Sequence, residues 1–291
     1  MNPAHLDTLL AILDEGSFEG AAFALGISPS AVSQRMKALE HAAGRVLIRR
    51  ATPPEPTEAG EVIAQMARKM GLLRTEVDAQ LSGRMGALPL AVSVNADSLS
   101  LWFPQVLSSV ASWPNATLHV RVEDETHSKH LLSRGDVMGA VTTEARPVAG
   151  CEVRELGVMR YVSVANPRLL DRFSRDGEVD WEAMPVLRFG PRDRLQDLDL
   201  ERRIGYVPPR RNVSEIPSVD AFLEATRLGL GWSLLPEAQA QPLLARGELV
   251  LLDAAQIEVA LYWQCWRLES STLHRLSRAV QEAASVLPPI R

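Results

Sequence analysis

The chain has 291 residues, of which 46% are hydrophobic and 5% aromatic, a composition typical of a protein with two or three packed domains. Its formal net charge of −5 argues against a surface coated with cations for non-specific binding to nucleic acid. No apolar run approaches the roughly 18 residues that a membrane span needs, and acidic residues stand where a signal peptide is basic. We therefore expect a cytoplasmic protein with no membrane partner.

Two short helices joined by a glycine turn are predicted near the N-terminus. Ser17 is a candidate N-cap, and Gly26 ends the first helix in the left-handed conformation that glycine adopts most easily. Ser28 and Pro29 then provide an N-cap and a first helical residue, so a second helix begins within about one turn. This arrangement is typical of a helix-turn-helix, whose second helix enters a DNA groove. The apolar face of the first helix is formed by Phe18, Ala21, Ala22 and Leu25.

The second helix has one apolar and one polar face. Its core positions are Val32, Met36, Leu39 and Ala43. Its predicted DNA contacts, together with the helix start, are Ser28, Pro29, Ser30, Ser33, Gln34, Arg35 and Lys37. Gln34 is suited to a bidentate contact with adenine, and Arg35 and Lys37 to guanine or phosphate. A solvated helix face with no partner is the alternative interpretation of each residue.

A hairpin rich in arginine is predicted after this helix. The segment GRVLIRRATPPEP indicates a short strand, a turn and a proline-stiffened exit, with Arg49 and Arg50 near the tip. We predict that both contact the DNA backbone or minor groove, with solubilising charge on an edge strand as the alternative. From Ser28 to Arg50, five Lys and Arg side chains stand against the single carboxylate of Glu40, so this patch can hold phosphate.

A long helix is predicted from the candidate N-cap Thr57 to about Leu81, a rod of about 37 Å at 1.5 Å per residue. Its apolar residues recur nearly as a heptad seam: Val62, Met66, Met70, Leu73, Val77 and Leu81. Such a rod is expected to pair with a second copy, which would present two recognition helices to a pseudo-palindromic site. A helix packed against its own body is the alternative. Residues 82–89 are predicted to form a hinge.

Beyond residue 87 strands alternate with helices in βαβα order, which predicts a parallel sheet with ligand chemistry at the carboxyl ends of its strands. Polar side chains follow the first three strands: Asn95, Asp97 and Ser98; Asp124 and Glu125; then Thr142, Thr143 and Glu144. A helix start at Ser98 can hold an α-carboxylate, and Asp97, Asp124 or Glu125 an ammonium or guanidinium group. This combination suits a cationic amino acid. Ordinary N-capping by Asp97, Ser98, Asp124 or Thr126 is the alternative.

Other chemistry finds little support in the sequence. Cys151 and Cys265 stand far apart with no CxxC motif, which favours buried small hydrophobes over a disulfide or zinc site. His127 and His130 are spaced for a surface metal site, but solvated polar side chains are the usual occupants of such a helix start. GxSxG, GxxxxGK[ST], HExxH and strand-linked GxGxxG motifs are absent, so we predict neither an enzyme nor a bound cofactor.

The N-terminal run ALGISPSAVSQRMKALE, followed by GRVLIRR and TEAG, resembles the winged helix-turn-helix of LysR-type transcriptional regulators. Within that family, NADSLSLWF, GAVTTEARPVAGC and YWQCWRLES resemble the LysG/ArgP-like regulators of basic amino-acid export. The resemblance extends over the whole chain. It implies an α/β protein with an N-terminal winged helix-turn-helix, a long linker helix and a two-lobed effector domain like the periplasmic binding proteins.

The resemblance also implies boundaries and partners. We expect a DNA-binding domain over 1–58, a linker and dimerisation helix with hinge over 59–87, and an effector domain over 88–291. Lobe I would comprise 88–160 and 267–291 and lobe II 161–266, with crossings near Arg160 and Trp266. Family placement favours Ser98 and Thr142 as effector contacts, followed by Asp97, Asp124, Thr143 and Gln264. Trp102, Trp263 and Trp266 are expected to pack within the lobes.

The expected function is a ligand-responsive transcription factor that senses lysine or arginine and controls a gene for a basic amino-acid exporter. Its expected partners are double-stranded DNA, the basic amino acid, other copies of the chain in a dimer or tetramer, and RNA polymerase as a further candidate. A regulator of another metabolite pathway is the main alternative; an enzyme or solute receptor with a DNA-binding head is a remote one. The operator and the sign of regulation are left open by the sequence.

Overall fold

The computed structural model describes residues 1–49, 51–82 and 88–290. Its N-terminal domain begins with three helices, α1 (Pro3–Glu15), α2 (Phe18–Leu25) and α3 (Pro29–Ala43). Ser17 Oγ accepts a hydrogen bond from the Gly20 amide at 2.9 Å, and Ser28 Oγ accepts one from the Ala31 amide at 3.2 Å. Gly26 has a φ of 63°, the left-handed conformation that ends α2. The predicted helix pair is therefore confirmed.

Helix α1 was not predicted, although its sequence carries a signal for it. Asn2 Oδ1 accepts the Ala4 amide at 2.9 Å and Pro3 occupies the first helical position, the two features that favour a helix start. Leu6, Leu9 and Ile12 lie at steps of three and are buried. They pack with the apolar stripe of α3, in which Val32, Met36 and Leu39 are buried, so three helices share one small core.

A short hairpin and a long helix complete this part of the chain. Strands β1 (Ile48–Arg49) and β2 (Glu55–Pro56) pair antiparallel, and α4 (Glu58–Ser82) follows. Thr57 Oγ1 accepts the Gly60 amide at 3.1 Å, which confirms the predicted cap. The predictions for Arg50 and for most of the hinge lie outside the described residues.

Strands and helices alternate through the rest of the chain. The first half contains β3 (Leu88–Val94), α5 (Ala96–Leu101), α6 (Pro104–Ala111), β4 (Ala116–Val122), α7 (Glu125–Arg134), β5 (Gly139–Thr142) and β6 (Cys151–Ala165). The second half contains α8 (Pro167–Arg172), β7 (Ser174–Arg175), β8 (Glu178–Val179), β9 (Val186–Arg188), α9 (Leu195–Ile204), β10 (Val213–Glu215), α10 (Val219–Leu228), β11 (Ser233–Pro236), α11 (Glu237–Ala245), β12 (Val250–Trp266) and α12 (Ser271–Ala284).

A sheet of six strands in the order β11-β6-β12-β5-β3-β4 runs through this region. The parallel prediction is correct for β3, which pairs in parallel with both β4 and β5. The pairing at the centre of the sheet was not predicted: there β6 and β12 pair antiparallel, from Ala165 opposite Val250 to Cys151 opposite Trp266. We call the β3–β5 side with α5–α7 and α12 lobe I, and the β7–β11 side with α8–α11 lobe II. Strands β6 and β12 belong to both lobes.

Several predicted boundaries need correction. The run SLSLWFPQVLSSVA predicts one helix over residues 98–111, but the structure divides it into α5 and α6, because Pro104 lacks an amide hydrogen and restricts the residue before it. Helices α8, α9 and α11 were not predicted. The sequence predicts a last helix from about Ser271 to Val286, and the observed helix α12 ends at Ala284. The runs YVSVANP and YWQCWRLE predict strands that begin at residues 161 and 262. Strands β6 and β12 in fact begin at Cys151 and Val250. Their first halves were not predicted, because they mix apolar with polar residues.

Side chains expected in the core are found there. Trp102, Trp263 and Trp266 are buried, which confirms their packing role, and Trp263 Nε1 donates to Ser277 Oγ at 2.9 Å. Both cysteines are buried thiols, as predicted, and burial raises the pKa of Cys151 to about 11. Across the described ranges, no helix is long and apolar enough to cross a membrane.

Helix α4 lies against lobe I of its own chain. Leu72 is buried in the main core, and Gln65 Nε2 donates to the Leu132 carbonyl oxygen at 3.0 Å. Glu76 Oε1 accepts hydrogen bonds from the Ser270 hydroxyl at 2.7 Å and the Thr272 amide at 3.0 Å, at the start of α12. The alternative of a helix packed on its own body is therefore correct for one face of α4.

The close approach of α4 to the hairpin gives a testable stability prediction. A Cβ atom added at Gly60 would lie 2.0 Å from the Leu47 carbonyl oxygen, so Gly60→Ala should destabilise the chain by about 1–3 kcal/mol. At Gly71, in the same helix, a Cβ meets nothing within 4 Å, and Gly71→Ala should be neutral or stabilising by up to about 1 kcal/mol. Thermal unfolding followed by circular dichroism compares the two; an unchanged melting temperature for Gly60→Ala would contradict the packing described.

Candidate DNA-reading helix and effector cleft

The start and outer face of α3 are accessible from solvent. Ser28, Pro29, Ser30, Gln34 and Lys37 are exposed, and Ser33 and Arg35 are half-buried. Because the opposite face of α3 is held in the core, this polar face is fixed in orientation and free of the rest of the domain.

The cationic patch is available for a phosphate partner. Among the described residues, the side chains of Gln34, Lys37 and Arg49 are exposed and form no ion pair within 4.0 Å. The carboxylate of Glu40 is used structurally, since its Oε1 accepts the Leu47 amide at 2.9 Å and ties α3 to the hairpin. The patch thus combines free amide and cationic donors, the groups that read base edges and phosphate oxygens.

The predicted dimerisation residues form a stripe on α4 away from lobe I. Val62, Met70 and Val77 are exposed, with 66%, 47% and 50% of their surface accessible, and Met66 and Leu73 are half-buried. Large apolar side chains repeated at helical spacing on an exposed face are typical of a surface that pairs with another helix.

A cleft of about 610 Å³ lies between the two lobes. Its volume is in the range of sites for small molecules, which is roughly 300–1,000 Å³. Tyr161 of β6 and Val259 of β12 line it, so the two shared strands contribute to its wall. Four of the predicted effector residues also line it: Asn95, Asp97, Asp124 and Thr143.

The lobe I wall is held by short hydrogen bonds. Asn95 Oδ1 accepts the Ser98 amide at 2.8 Å and caps α5, so the capping role proposed for Asp97 and Ser98 belongs to Asn95 instead. Asp97 Oδ2 accepts the Tyr161 hydroxyl at 2.7 Å. Asp124 caps α7, as its alternative interpretation predicted: its Oδ1 accepts the His127 amide at 2.9 Å.

A further contact to Asp124 crosses the cleft. Its Oδ2 accepts a hydrogen bond from Arg192 of lobe II. Burial disfavours the charged form of Asp124, but the bonds from the His127 amide and from Arg192 outweigh it and hold the pKa of this carboxyl below its usual range. Asp124 is therefore an ionised carboxylate at neutral pH.

The remaining predicted effector residues do not line the cleft. Thr142 and Gln264 are fully buried, and Gln264 Nε2 donates to the carbonyl oxygens of Glu144 and Arg146 at 3.0 and 3.1 Å. Gln264 thus holds the loop after β5. Ser98 is also fully buried, and its Oγ has no partner among the described residues. The side chain of Glu125 lies outside the description.

The lobe II wall of the cleft was not predicted from the sequence. It is formed by the loop after β9, the start of α10 and the residues around the start of α11, and it includes Phe189, Arg192, Asp193, Arg194, Pro217, Val219 and Gln239. The rule that ligands bind at the carboxyl ends of strands also applies to β9, β10 and β11, whose ends supply this wall. The signal was present in GPRDR, a charged turn directly after the strand VLR.

A helix-turn-helix with free basic donors, joined by a long helix to a two-lobed domain with a polar cleft, defines the class of ligand-responsive DNA-binding regulators. The comparisons with known proteins agree. Residues 3–61 match the bacterial regulatory helix-turn-helix of the lysR family, and residues 83–285 match the LysR substrate-binding domain. The chain belongs to the LysR family of transcriptional regulators, which are not enzymes.

Similar proteins cover nearly all of the chain. The lysine export transcriptional regulatory protein LysG of Corynebacterium glutamicum is 61% identical over 98% of both chains. The full-length LysG structure from that organism with bound effector Arg has a TM-score of 0.86 at 59% identity, over 99% of this chain and 100% of that one. The structure of ArgP from Mycobacterium tuberculosis has a TM-score of 0.91 at 37% identity, over 100% of both chains.

The exposed side-chain amide of Gln34 on α3 gives a prediction for DNA binding. Gln34→Ala should weaken binding to a duplex that the wild-type protein selects from a random library by about 1–3 kcal/mol, because a bidentate contact to a base is lost. Binding to random duplexes should change much less. Fluorescence anisotropy measures both; equal losses on selected and random DNA would mean that Gln34 contacts phosphate only.

Proposed function

We propose that this chain binds a basic amino acid, L-lysine or L-arginine, in the cleft and thereby controls transcription of a gene for a basic amino-acid exporter. The observation that carries the proposal is the set of carboxylates on the lobe I wall: Asp97, Glu123 and Asp124. The relatives support it, since one is described as a lysine export regulator and a similar structure holds arginine. Because the function is transcriptional, we expect the protein to act in the cytoplasm.

The side-chain cation and the α-carboxylate of a basic amino acid both have a suitable partner among the residues that line this cleft. We assign the side-chain cation to Asp124, with Asp97 nearby in the same wall, because carboxylates form charge-assisted hydrogen bonds with ammonium and guanidinium groups. We assign the α-carboxylate to the hydroxyl of Thr143, which lines the cleft. The assigned chemistry is reversible binding, so we propose no cofactor.

Helix α7 is placed to transmit binding from the cleft to α4. Its N-cap is Asp124 in the cleft wall, and its last turn accepts the hydrogen bond from Gln65 of α4 at the Leu132 carbonyl. Gly135, which ends α7, approaches so closely that an added Cβ would lie 2.9 Å from the Cα of Gln65. A packed helix moves as a unit, so a displacement at Asp124 reaches α4 directly.

One arginine connects α7, α4 and the DNA-binding domain. Arg68 Nη2 of α4 donates to Asp136 Oδ1, just beyond α7, at 2.9 Å and to Asp14 Oδ1 of α1 at 2.8 Å. We propose that a shift of α7 alters this shared contact and so changes the position of the DNA-binding domain. A ligand shifts such an equilibrium only if it binds the two arrangements differently, and contact with Asp124 supplies that difference.

We propose that the exposed stripe on α4 pairs two copies of the chain, and that dimers associate further into a tetramer, the assembly common in the family. Two α3 helices would then address two half-sites of one operator, beside RNA polymerase at the promoter.

Charging the stripe tests the pairing. Met70→Glu combined with Val77→Glu should convert dimers to monomers, or tetramers to dimers, because buried unpaired carboxylates disfavour an apolar interface. Val46→Glu is the control, since Val46 is 63% exposed on the hairpin and lies outside α4. Sedimentation velocity without DNA measures the assembly state; an unchanged state in the double variant would contradict the assignment.

Effector binding is tested on the purified full-length chain by thermal unfolding against all common amino acids. A ligand specific for the folded form raises the melting temperature, and we expect a rise with L-lysine, L-arginine or both. Asp124→Asn should lose most of that rise while it retains DNA binding. A response to a different class of amino acid would redirect the effector assignment, and no response at all would contradict it.

A further inference from the structure

Arg192 crosses the cleft to the carboxylate that we assign to the effector cation. It belongs to the loop between β9 and α9 in lobe II, whereas Asp124 follows β4 in lobe I. The pair is accessible to water, with 64% of the Arg192 side chain and 28% of the Asp124 side chain exposed. Ion pairs this exposed contribute little free energy, so this contact can be exchanged for another.

The loop that carries Arg192 is a defined turn. The Asp193 amide donates to the Gly190 carbonyl oxygen at 3.1 Å, so residues 190–193 form a β-turn with Pro191 at its second position, where proline is favoured. Asp193 holds the loop from both sides, since Oδ2 accepts the Phe189 amide at 3.0 Å and Oδ1 accepts the Leu195 amide at 3.1 Å. Arg192 is therefore presented towards lobe I from a fixed position.

Both oxygens of Asp124 are occupied in this arrangement. Oδ1 accepts the His127 amide at 2.9 Å, a bond that caps α7, and Oδ2 accepts the guanidinium of Arg192. The capping bond is part of the fold, whereas the bond to Arg192 joins two separate lobes. A cation entering the cleft at Asp124 would therefore take the place of Arg192 rather than of the cap.

We propose that Arg192 is a specificity-determining residue, whose guanidinium occupies Asp124 without an effector and is exchanged only for an effector with a cationic side chain. The inference rests on the proposed function of the cleft. A neutral amino acid has no side-chain cation to pair with Asp124. The ion pair between Asp124 and Arg192 therefore persists, and this wall adds nothing to the binding free energy of that ligand. A lysine or arginine side chain replaces one charge-assisted hydrogen bond to Asp124 with another.

Exchange of Arg192 for the effector cation predicts the direction in which a substitution of Arg192 changes the Kd for the effector. Removing the internal competitor should strengthen binding of a cationic effector, because a larger fraction of the protein is ready to accept it. With an exposed ion pair of this kind, we expect Arg192→Gln to lower the Kd for L-arginine about two- to fivefold. The Kd for L-citrulline, which has the shape of arginine without its charge, should stay unchanged.

Isothermal titration calorimetry of the full-length chain tests this with L-arginine directly and L-citrulline by competition. Arg175→Gln is the matched control, since it removes an equal charge from an exposed residue of lobe II outside the cleft lining, and neither Kd should change. Circular dichroism of each variant checks that the fold is retained.

Three results for Arg192→Gln would overturn the inference. Weaker arginine binding would mean that Arg192 contacts the effector itself. Equal strengthening for arginine and citrulline would mean that Arg192 only obstructs the cleft, and an unchanged Kd for arginine would mean that no exchange takes place. Failure of the wild-type chain to bind lysine or arginine is a distinct result, because it overturns the proposed function and this inference with it.

Discussion

The antiparallel pairing of β6 with β12 is the constraint on which the rest of the structure depends. These strands pass through both lobes, so the lobes share one hydrogen-bonded ribbon. The cleft lies beside this ribbon, with Tyr161 and Val259 on its wall and the ends of other strands around it. Because the two lobes share this ribbon, we propose that a ligand that contacts both walls acts on the angle between the lobes.

Contacts through α7 and α4 join the cleft to the DNA-binding domain. One end of α7 is capped by a cleft carboxylate, Asp124, and the other end rests on α4, whose Arg68 reaches α1 of the DNA-binding domain. We thus propose that the signal is carried by a rigid helix and one shared arginine rather than by small shifts spread over the whole effector domain. The ion pair between Asp124 and Arg192 lies at the start of this connection, at the carboxylate that we propose the effector cation binds.

Local signals and distant pairings differed in how well the sequence revealed them. The caps Ser17, Gly26, Ser28 and Thr57 act within a few residues, and they predicted the DNA-binding domain and the start of α4 correctly. The pairing of β6 with β12 joins residues about 100 positions apart, which no local pattern reveals, so this antiparallel pair was not predicted. The lobe I wall was anticipated from strand ends, but the lobe II wall needed the three-dimensional arrangement of β9, α10 and α11.

The measurement that tests the central claim most directly is the coupling between arginine and DNA in Asp136→Ala. This change removes the lobe I partner of Arg68 and leaves both the cleft lining and the contact with Asp14 in place. In the wild-type chain, saturating arginine should change the Kd for selected DNA by at least about fivefold. We expect Asp136→Ala to bind arginine and DNA but to lose about 0.5–2 kcal/mol of that coupling. Full wild-type coupling in this variant would contradict transmission through α7 and Arg68.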